Sequence, residues 1–273
     1  MQLPIYSGAG NRFALLDALD GQGGGELDAR REEDLARAFA AAAGDLDGLL
    51  VLAPPRSGGD TRLAILNRDG SRAESCGNGL RCVALHLVRH GRAAGATLSI
   101  ETDAGPRTAE LLERGADAAR VRVGMGAARV FPLTSPVEHD GRRLEAVGVE
   151  VGNPHCVLFV EDERAEPLEE LGPALQSHPD FPAGVNVGLV AERDGGFHLR
   201  VWERGVGETA ACGSGACAAA CALVAAGRAH FPLELRAPGG ALTVERDAAG
   251  ALLLTGEARA EAGLLEIEPG CGR

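Results

Sequence analysis

The sequence predicts an α+β chain folded as two related domains, and two observations carry that prediction. First, SCGNGLRCVALHLVRHG (75–91) and ACGSGACAAACALVAAG (211–227) align without a gap. Each holds C-G-x-G, then a helix-like stretch, then a glycine at the same distance from its cysteine, then Arg92 or Arg228. The two cysteines lie half of the 273-residue chain apart. Second, short strand-like segments surround each copy in a similar order.

Taken in order, LPIYS (3–7) is a strand and RFALLDAL (12–19) a further apolar stretch. GQGGG (21–25) is a flexible loop. Asp28 is placed to cap a helix through REEDLARAFAAAA (31–43), with Gly44 as its stop. LLVLAPP (49–55) and TRLAILN (61–67) are strands, and NRDGS (67–71) is a turn. GLRCVALHLVRHG (79–91) is a helix with Leu80, Val83, Leu87 and Val88 on one face. TLSIET (97–102), ARVRVGM (119–125) and RVFPL (129–133) are strands. The second half repeats the flavour, with strands EAVGVEVGN (145–153) and CVLFVED (156–162) and a short helix within 163–177. VNVGLVAE (185–192) and FHLRVWE (197–203) are strands joined by RDGG. After the second C-G-x-G helix come strands LELRA, ALTVE, ALLLTG and LLEIE.

Composition removes several function classes. The chain is 45% hydrophobic and 24% charged, as in soluble globular proteins. A net charge of -12 speaks against a nucleic-acid or anionic-membrane surface, and 3% aromatics leaves little for base stacking. No apolar run reaches membrane-spanning length; 216–226 is too short. MQLPIYSGAGNRF lacks a basic stretch followed by an apolar core, so a cytoplasmic location is expected. All 27 basic residues are arginine. Without lysine there is neither a pyridoxal-phosphate Schiff base nor a Walker A loop. Seven cysteines, with no C-x-x-C pair, point to neither a disulfide framework nor a zinc site. No metal and no cofactor are expected.

Free cysteine is commonly a small buried hydrophobe, and Cys82, Cys156, Cys217 and Cys221 read that way. Cys76 and Cys212 do not, because two glycines are a poor choice for a merely structural helix start. A helix N-terminus exposes unpaired N–H groups and partial positive charge. A thiol placed there is acidified from about 8.5 toward roughly 3.5–7.5. Glycine lets a ligand approach the backbone, and the N–H groups can hold a carboxylate. If two such elements face each other, one thiolate can remove the α-proton of a carboxylate-bearing carbon. The opposite thiol can then deliver a proton to the other face, which inverts the stereocentre. The residues alone leave two other readings open: a thiol redox protein and a binding protein without catalysis.

GAGNRF (8–13), LDGLL (46–50), LNRDGS (66–71), SCGNGLRC (75–82), GNPHCV (152–157), VNVG (185–188) and WERGVGETAACGSGACA (202–218) are distinctive pieces. Through them the chain resembles the diaminopimelate epimerase family over essentially its whole length. The resemblance implies two pseudo-symmetric domains, each a mixed sheet curved around a central helix, with the active site in the cleft between them. The domains are expected at 1–122 plus 260–273 and at 123–259. It also implies cofactor-independent interconversion of LL- and meso-2,6-diaminopimelate on the route to lysine and peptidoglycan, and a homodimer.

Carried over position by position, Cys76 and Cys212 match the two acid/base thiols. Gly77 and Asn78, with Gly213 and Ser214, match loops that bind the reacting α-carboxylate. Asn11, Asn67, Asn153 and Asn186 match substrate-binding asparagines. Glu203 and Arg204 match a pair that holds the amino group and the distal end. His155 and Glu203 match residues that tune the thiols. Taken singly, Asn67 and Asn153 are turn formers and His155 a structural histidine; only the joint pattern makes them a site. Neutral amides, an arginine fork and a carboxylate suit a substrate with two carboxylates and two ammonium groups. Two positions depart from the family. Arg12 stands where Asp is usual, and Gly48, a substrate-proximal position, where Gln is frequent. They keep open racemisation of another amino acid, such as histidine.

Overall fold

The computed structural model describes residues 1–20, 29–73, 76–93 and 95–268. The GQGGG loop, the Asp28 cap, Ser75 and Cys271 lie outside the described residues. The chain divides into two compact units, Met1–Val123 with Gly256–Arg273, and Gly124–Thr255.

In the first unit, β1 (Gln2–Gly8) and β2 (Asn11–Asp17) form a hairpin. Helix α1 (Ala29–Ala42) crosses to β3 (Gly48–Ala53), parallel to β2, and β4 (Thr61–Asn67) returns antiparallel. The short β5 (Arg72–Ala73) folds back on β4. Helix α2 (Gly77–Arg89) then leads to β6 (Thr97–Thr102), parallel to β4, followed by antiparallel β7 (Gly105–Arg114) and β8 (Ala118–Gly126).

The second unit opens with β9 (Arg129–Pro132) and β10 (Val137–His139), both pairing with β11 (Arg142–Glu150). From there the first unit's plan repeats. β11 and β12 (Pro154–Val160) are antiparallel, and α3 (Leu168–Leu175) crosses to β13 (Asn186–Arg193), parallel to β12. β14 (Gly196–Glu203) returns, and β15 (Gly207–Thr209) folds back on it. Helix α4 (Gly213–Ala225) leads to β16 (Leu233–Ala237), parallel to β14, then to antiparallel β17 (Gly240–Arg246) and β18 (Leu252–Glu266). Beyond Gly256, β18 pairs with β1 and β8. The first unit's ladder thereby closes in the order β1-β2-β3-β4-β6-β7-β8-β18.

Packing explains the patterns. β3 is buried along its whole length, as a parallel strand covered on both faces must be. Leu49, Val51 and Ala53 meet Leu35 and Phe39 of α1. The first turn of α2 lies against Leu50, which points the other way. In the second unit Leu168, Leu171 and Leu175 of α3 meet Leu158, Val187 and Leu189. The inner helices are buried from Gly77 to Leu87 and at nearly every position from Gly213 to Leu223. α4 fits because it is built mostly from alanine, cysteine and glycine. Both inner helices stop alike: Gly91 and Gly227 take φ of 66° and 68°. Arg92 and Arg228 then donate their N–H to Leu87 and Leu223 carbonyls at 2.8 and 2.9 Å.

Four strands escape the sequence pattern: β5, β7, β10 and β15. Of the ten residues of β7 only Ala109 and Leu111 are buried, so it exists through its ladders rather than through apolar alternation. ALLLTG and LLEIE, expected as two strands, belong largely to the single β18. The helix expected at 79–91 runs from Gly77 to Arg89, because Cys76 itself is the cap. Among the described residues no helix is long and apolar enough to cross a membrane.

Candidate active site

Cys76 and Cys212 are the N-cap residues of α2 and α4. Both have extended backbone, φ/ψ of -145/112 and -121/121, as a cap requires. Each sulfur accepts the N–H three residues on, from Gly79 and Gly215, at 3.4 Å. The first donors inside the helices are Leu80 and Ala216, each 2.9 Å from the cap carbonyl. The N–H groups of Gly77 and Asn78, and of Gly213 and Ser214, precede these first i→i−4 bonds, at the helix end whose partial positive charge favours anions.

The second glycine of each C-G-x-G has a packing reason. A Cβ on Gly79 would lie 2.9 Å from Leu50 Cδ2, and one on Gly215 3.0 Å from Val201 Cγ2. These glycines seat the helices against the sheet; close approach by a ligand is not needed to explain them.

The repeat places the other residues in matched pairs. Phe13 pairs with Gly48 and Gly48 with Asn67 across β2, β3 and β4. His155 pairs with Asn186 across β12 and β13. Asn11 and Asn153 each lie two residues before these ladders' first members, Phe13 and His155. By the same register Asn186 is the counterpart of Gly48. Asn78 and Ser214 are counterparts, each the second residue of its inner helix.

In the first unit Asn78 is buried and its Nδ2 donates to Asn11 Oδ1. Arg81 Nη2 donates to Asn78 Oδ1 at 2.6 Å, and Arg81 Nη1 reaches the Gly77 carbonyl at 3.4 Å. Arg81 is fully buried. It stands in SCGNGLRC, and a charge among the apolar residues of the helix's first half is the sequence signal for it. Asn67 holds its turn, donating Nδ2 to Ser71 Oγ at 3.0 Å. Gly48 has no room for a side chain, since a Cβ would lie 2.8 Å from the Leu66 carbonyl oxygen. The charge of Arg12 is matched locally. Its guanidinium pairs with Asp45 and, at 2.8 Å, with Glu261.

In the second unit Cys212 Sγ lies 3.4 Å from Ser214 Oγ. Asn153 Nδ2 donates to Ser214 Oγ at 3.4 Å, and His155 Nε2 donates to Asn153 Oδ1 at 2.9 Å. Asn186 ties two backbones, donating to the Pro154 carbonyl at 3.2 Å and accepting Arg204 N–H at 2.9 Å. Glu203 accepts Thr209 Oγ1–H at 2.6 Å. Arg204 is exposed, with Nη1 on the Ala183 carbonyl at 2.7 Å.

Burial pushes the Cys212 thiol well above its ordinary range, and the Glu203 carboxylate adds to the rise. The Ser214 hydroxyl and Gly215 N–H pull the other way without winning. This corrects the expectation that a helix N-terminus acidifies both thiols. The helix end acts through one long N–H···S contact, whereas a thiolate here would lose its water altogether. Burial, helped by Arg204, lowers the His155 imidazole to about 3, so it is neutral.

Comparison with known proteins agrees with the layout. The family model described as diaminopimelate epimerase matches residues 4–131 and 147–261. A diaminopimelate epimerase of Moorella thermoacetica is 38% identical over 252 residues, 87% of this chain and 88% of that protein. One from Pseudomonas savastanoi pv. phaseolicola is 42% identical over 77% of this chain and 79% of its own length. Among solved structures, a phenazine biosynthesis protein of the PhzF family from Bacillus anthracis superposes with TM-score 0.73 at 16% identity, covering 95% and 96% of the two chains. A predicted epimerase from Pseudomonas aeruginosa does so with TM-score 0.68 at 18% identity, covering 100% and 99%. At these identities the structural matches speak for the fold.

Proposed function

Because the chain belongs to the diaminopimelate epimerase family, we propose that it interconverts LL- and meso-2,6-diaminopimelate by a two-base proton transfer between Cys76 and Cys212. The observation that carries this reading is the matched capping of two buried helices by two thiols, each at the helix end that favours anions.

In each turnover one thiolate takes the α-proton and becomes a thiol; the other thiol gives its proton to the opposite face and becomes a thiolate. The α-proton is a far weaker acid than a thiol, so the carbanion needs its carboxylate held by preorganised donors. The N–H groups of Gly77, Asn78, Gly213 and Ser214 are those donors. One such donor is worth about 3 kcal/mol in measured oxyanion sites. Which of the two thiols acts as base depends on the direction of reaction. Asn11, Asn67, Asn153 and Asn186 shape the substrate's surroundings, Glu203 meets an ammonium, and Arg204 meets the distal carboxylate. His155 and Glu203 tune Cys212. No lysine exists to hold pyridoxal phosphate, so the chemistry rests on the thiols alone. The setting is a cytoplasmic homodimer serving lysine and peptidoglycan precursors.

The test is α-hydrogen exchange in heavy water with LL-diaminopimelate, alongside a panel of L-amino acids that includes histidine. Deuterium is expected at the reacting carbon of diaminopimelate. Cys76→Ala and Cys212→Ala are each expected to abolish epimerisation. Full activity in either variant refutes the two-base mechanism, and turnover of another amino acid in place of diaminopimelate refutes the substrate. Retained activity after oxidation that links the two thiols would favour redox chemistry instead.

A further inference from the structure

The two units place an asparagine at the same position beside the inner helix, but wire it in opposite senses. In the second unit Asn153 is a donor toward the helix, through Nδ2 to Ser214 Oγ, and its Oδ1 is taken by His155. In the first unit Asn11 is an acceptor toward the helix, because Asn78 Nδ2 donates to its Oδ1. The difference traces to Arg81, whose counterpart in the second copy of the repeat is Cys217. A guanidinium can only donate. Arg81 Nη2, 2.6 Å from Asn78 Oδ1, therefore fixes that amide with its oxygen inward. Asn78 must then present its NH2 to Asn11, and Asn11 must present its oxygen to Asn78. What remains is the Asn11 NH2 group, which has no acceptor among the described residues.

We infer that Arg81 is a positioning residue that, through Asn78, sets Asn11 as a hydrogen-bond donor to a carboxylate oxygen of the substrate. This rests on the reading of Asn11 as a substrate contact in the proposed epimerase. A donor-only group at this point selects against an ammonium, so it assigns a carboxylate end of the substrate to Asn11. Full burial of Arg81 fits the role, since the guanidinium stands behind the first turn of α2 and cannot itself reach solvent. Its bond to the Gly77 carbonyl holds it against that turn.

Three variants and one ligand-free measurement test this. Asn11→Asp keeps shape and the bond from Asn78 but turns the outward donor into an acceptor. Its KM for diaminopimelate is expected to rise about tenfold or more, the usual worth of a lost bond to a charged group, with kcat changed far less. A KM at the wild-type level overturns the inference. Arg81→Met removes the donors at similar volume and is expected to raise KM in the same way, while Arg81→Lys, which still only donates, largely restores it. If Arg81→Met does not fold, the Asn11→Asp and Arg81→Lys comparison decides. In the ligand-free protein, side-chain amide exchange by 15N NMR should be slow for Asn78 and fast for Asn11. Equal protection of the two amides overturns the relay. Because that reading needs no substrate, it stands or falls separately from the proposed function. A wild-type protein that exchanges no α-hydrogen in diaminopimelate would sink the function while leaving the relay to the NMR result.

Discussion

His155 reaches Cys212 through two intermediaries: its Nε2–H meets Asn153 Oδ1 at 2.9 Å, and Asn153 Nδ2 meets Ser214 Oγ, itself 3.4 Å from the Cys212 sulfur. The imidazole thus has no direct bond to the thiol. Its influence is exercised by fixing the sense of the Asn153 amide, which in turn leaves the Ser214 hydroxyl proton for the sulfur. Burial keeps the imidazole neutral, with Nε2 carrying the proton that this bond needs.

That burial makes stability depend on pH. The folded imidazole stays neutral down to about pH 3, whereas an unfolded one takes up a proton near 6.5. The unfolded state therefore binds more protons below 6.5, and His155 costs stability as pH falls from there toward 3. The slope from one such group is at most about 1.4 kcal/mol per pH unit. His155→Gln, which can still donate to Asn153, should flatten the decline between pH 6.5 and 5 in urea unfolding. An identical slope in the variant would place the imidazole's proton elsewhere.

Glu203→Gln should make Cys212 more acidic. Removing the carboxylate removes a like charge that raises the thiol pKa, while the bond from Thr209 can be kept by the amide. Alkylation of Cys212 at pH 8, followed by mass spectrometry in a Cys76→Ser background, should speed up, by about tenfold for each unit of pKa lost. Unchanged or slower alkylation would mean that Glu203 does not govern the thiol.

Gly48 is a structural requirement in this chain. A Cβ there would lie 2.8 Å from the Leu66 carbonyl oxygen, which belongs to the neighbouring strand backbone and cannot swing aside, and 3.4 Å from Phe13. Gly48→Ala should destabilise by about 1–3 kcal/mol, the usual cost of overpacking a filled core. Gly48→Gln should cost no less, so restoring the residue frequent in the family should not improve the enzyme. A melting temperature equal to wild type in Gly48→Ala would show that β3 can shift.

What the sequence made legible was what local chemistry determines. The inner helices announced themselves by cysteine, glycine and an apolar run, and their ends by Gly91 and Gly227, whose positive φ an ordinary residue adopts at a cost. Leu49 to Ala53 read as a strand because both faces are covered. Strand β7 was illegible because its polar residues carry no period; pairing with β6 and β8 makes it a strand. The same holds for β18, which reads as two strands until Arg259 and Ala260 are seen to pair with Ser7 and Tyr6. Arg81 was missed because its meaning lies in Asn78 and Asn11, and the latter contact is made across the fold. The acidity of Cys212 was misjudged because burial, a tertiary property, outweighs the helix end on which the thiol sits.

Ser214→Ala separates the hydroxyl from the backbone at the same residue. The hydroxyl lowers the Cys212 pKa by favouring the thiolate, so its loss should raise an already high value. A net hydrogen bond of about 1 kcal/mol corresponds to roughly 0.7 of a pH unit. When Cys212 is the proton acceptor, the acidic limb of the kcat/KM profile should therefore move up by that amount. When the reaction is run the other way and Cys212 is the donor, the basic limb should move up instead. The main-chain N–H of residue 214 survives the substitution, so carboxylate binding is largely retained and KM at the optimum should change little. Profiles measured in both directions distinguish this from general damage, which lowers both limbs without moving either. A Ser214→Ala profile superposable on wild type would remove Ser214 from the thiol's surroundings and, with it, the route by which His155 acts on Cys212.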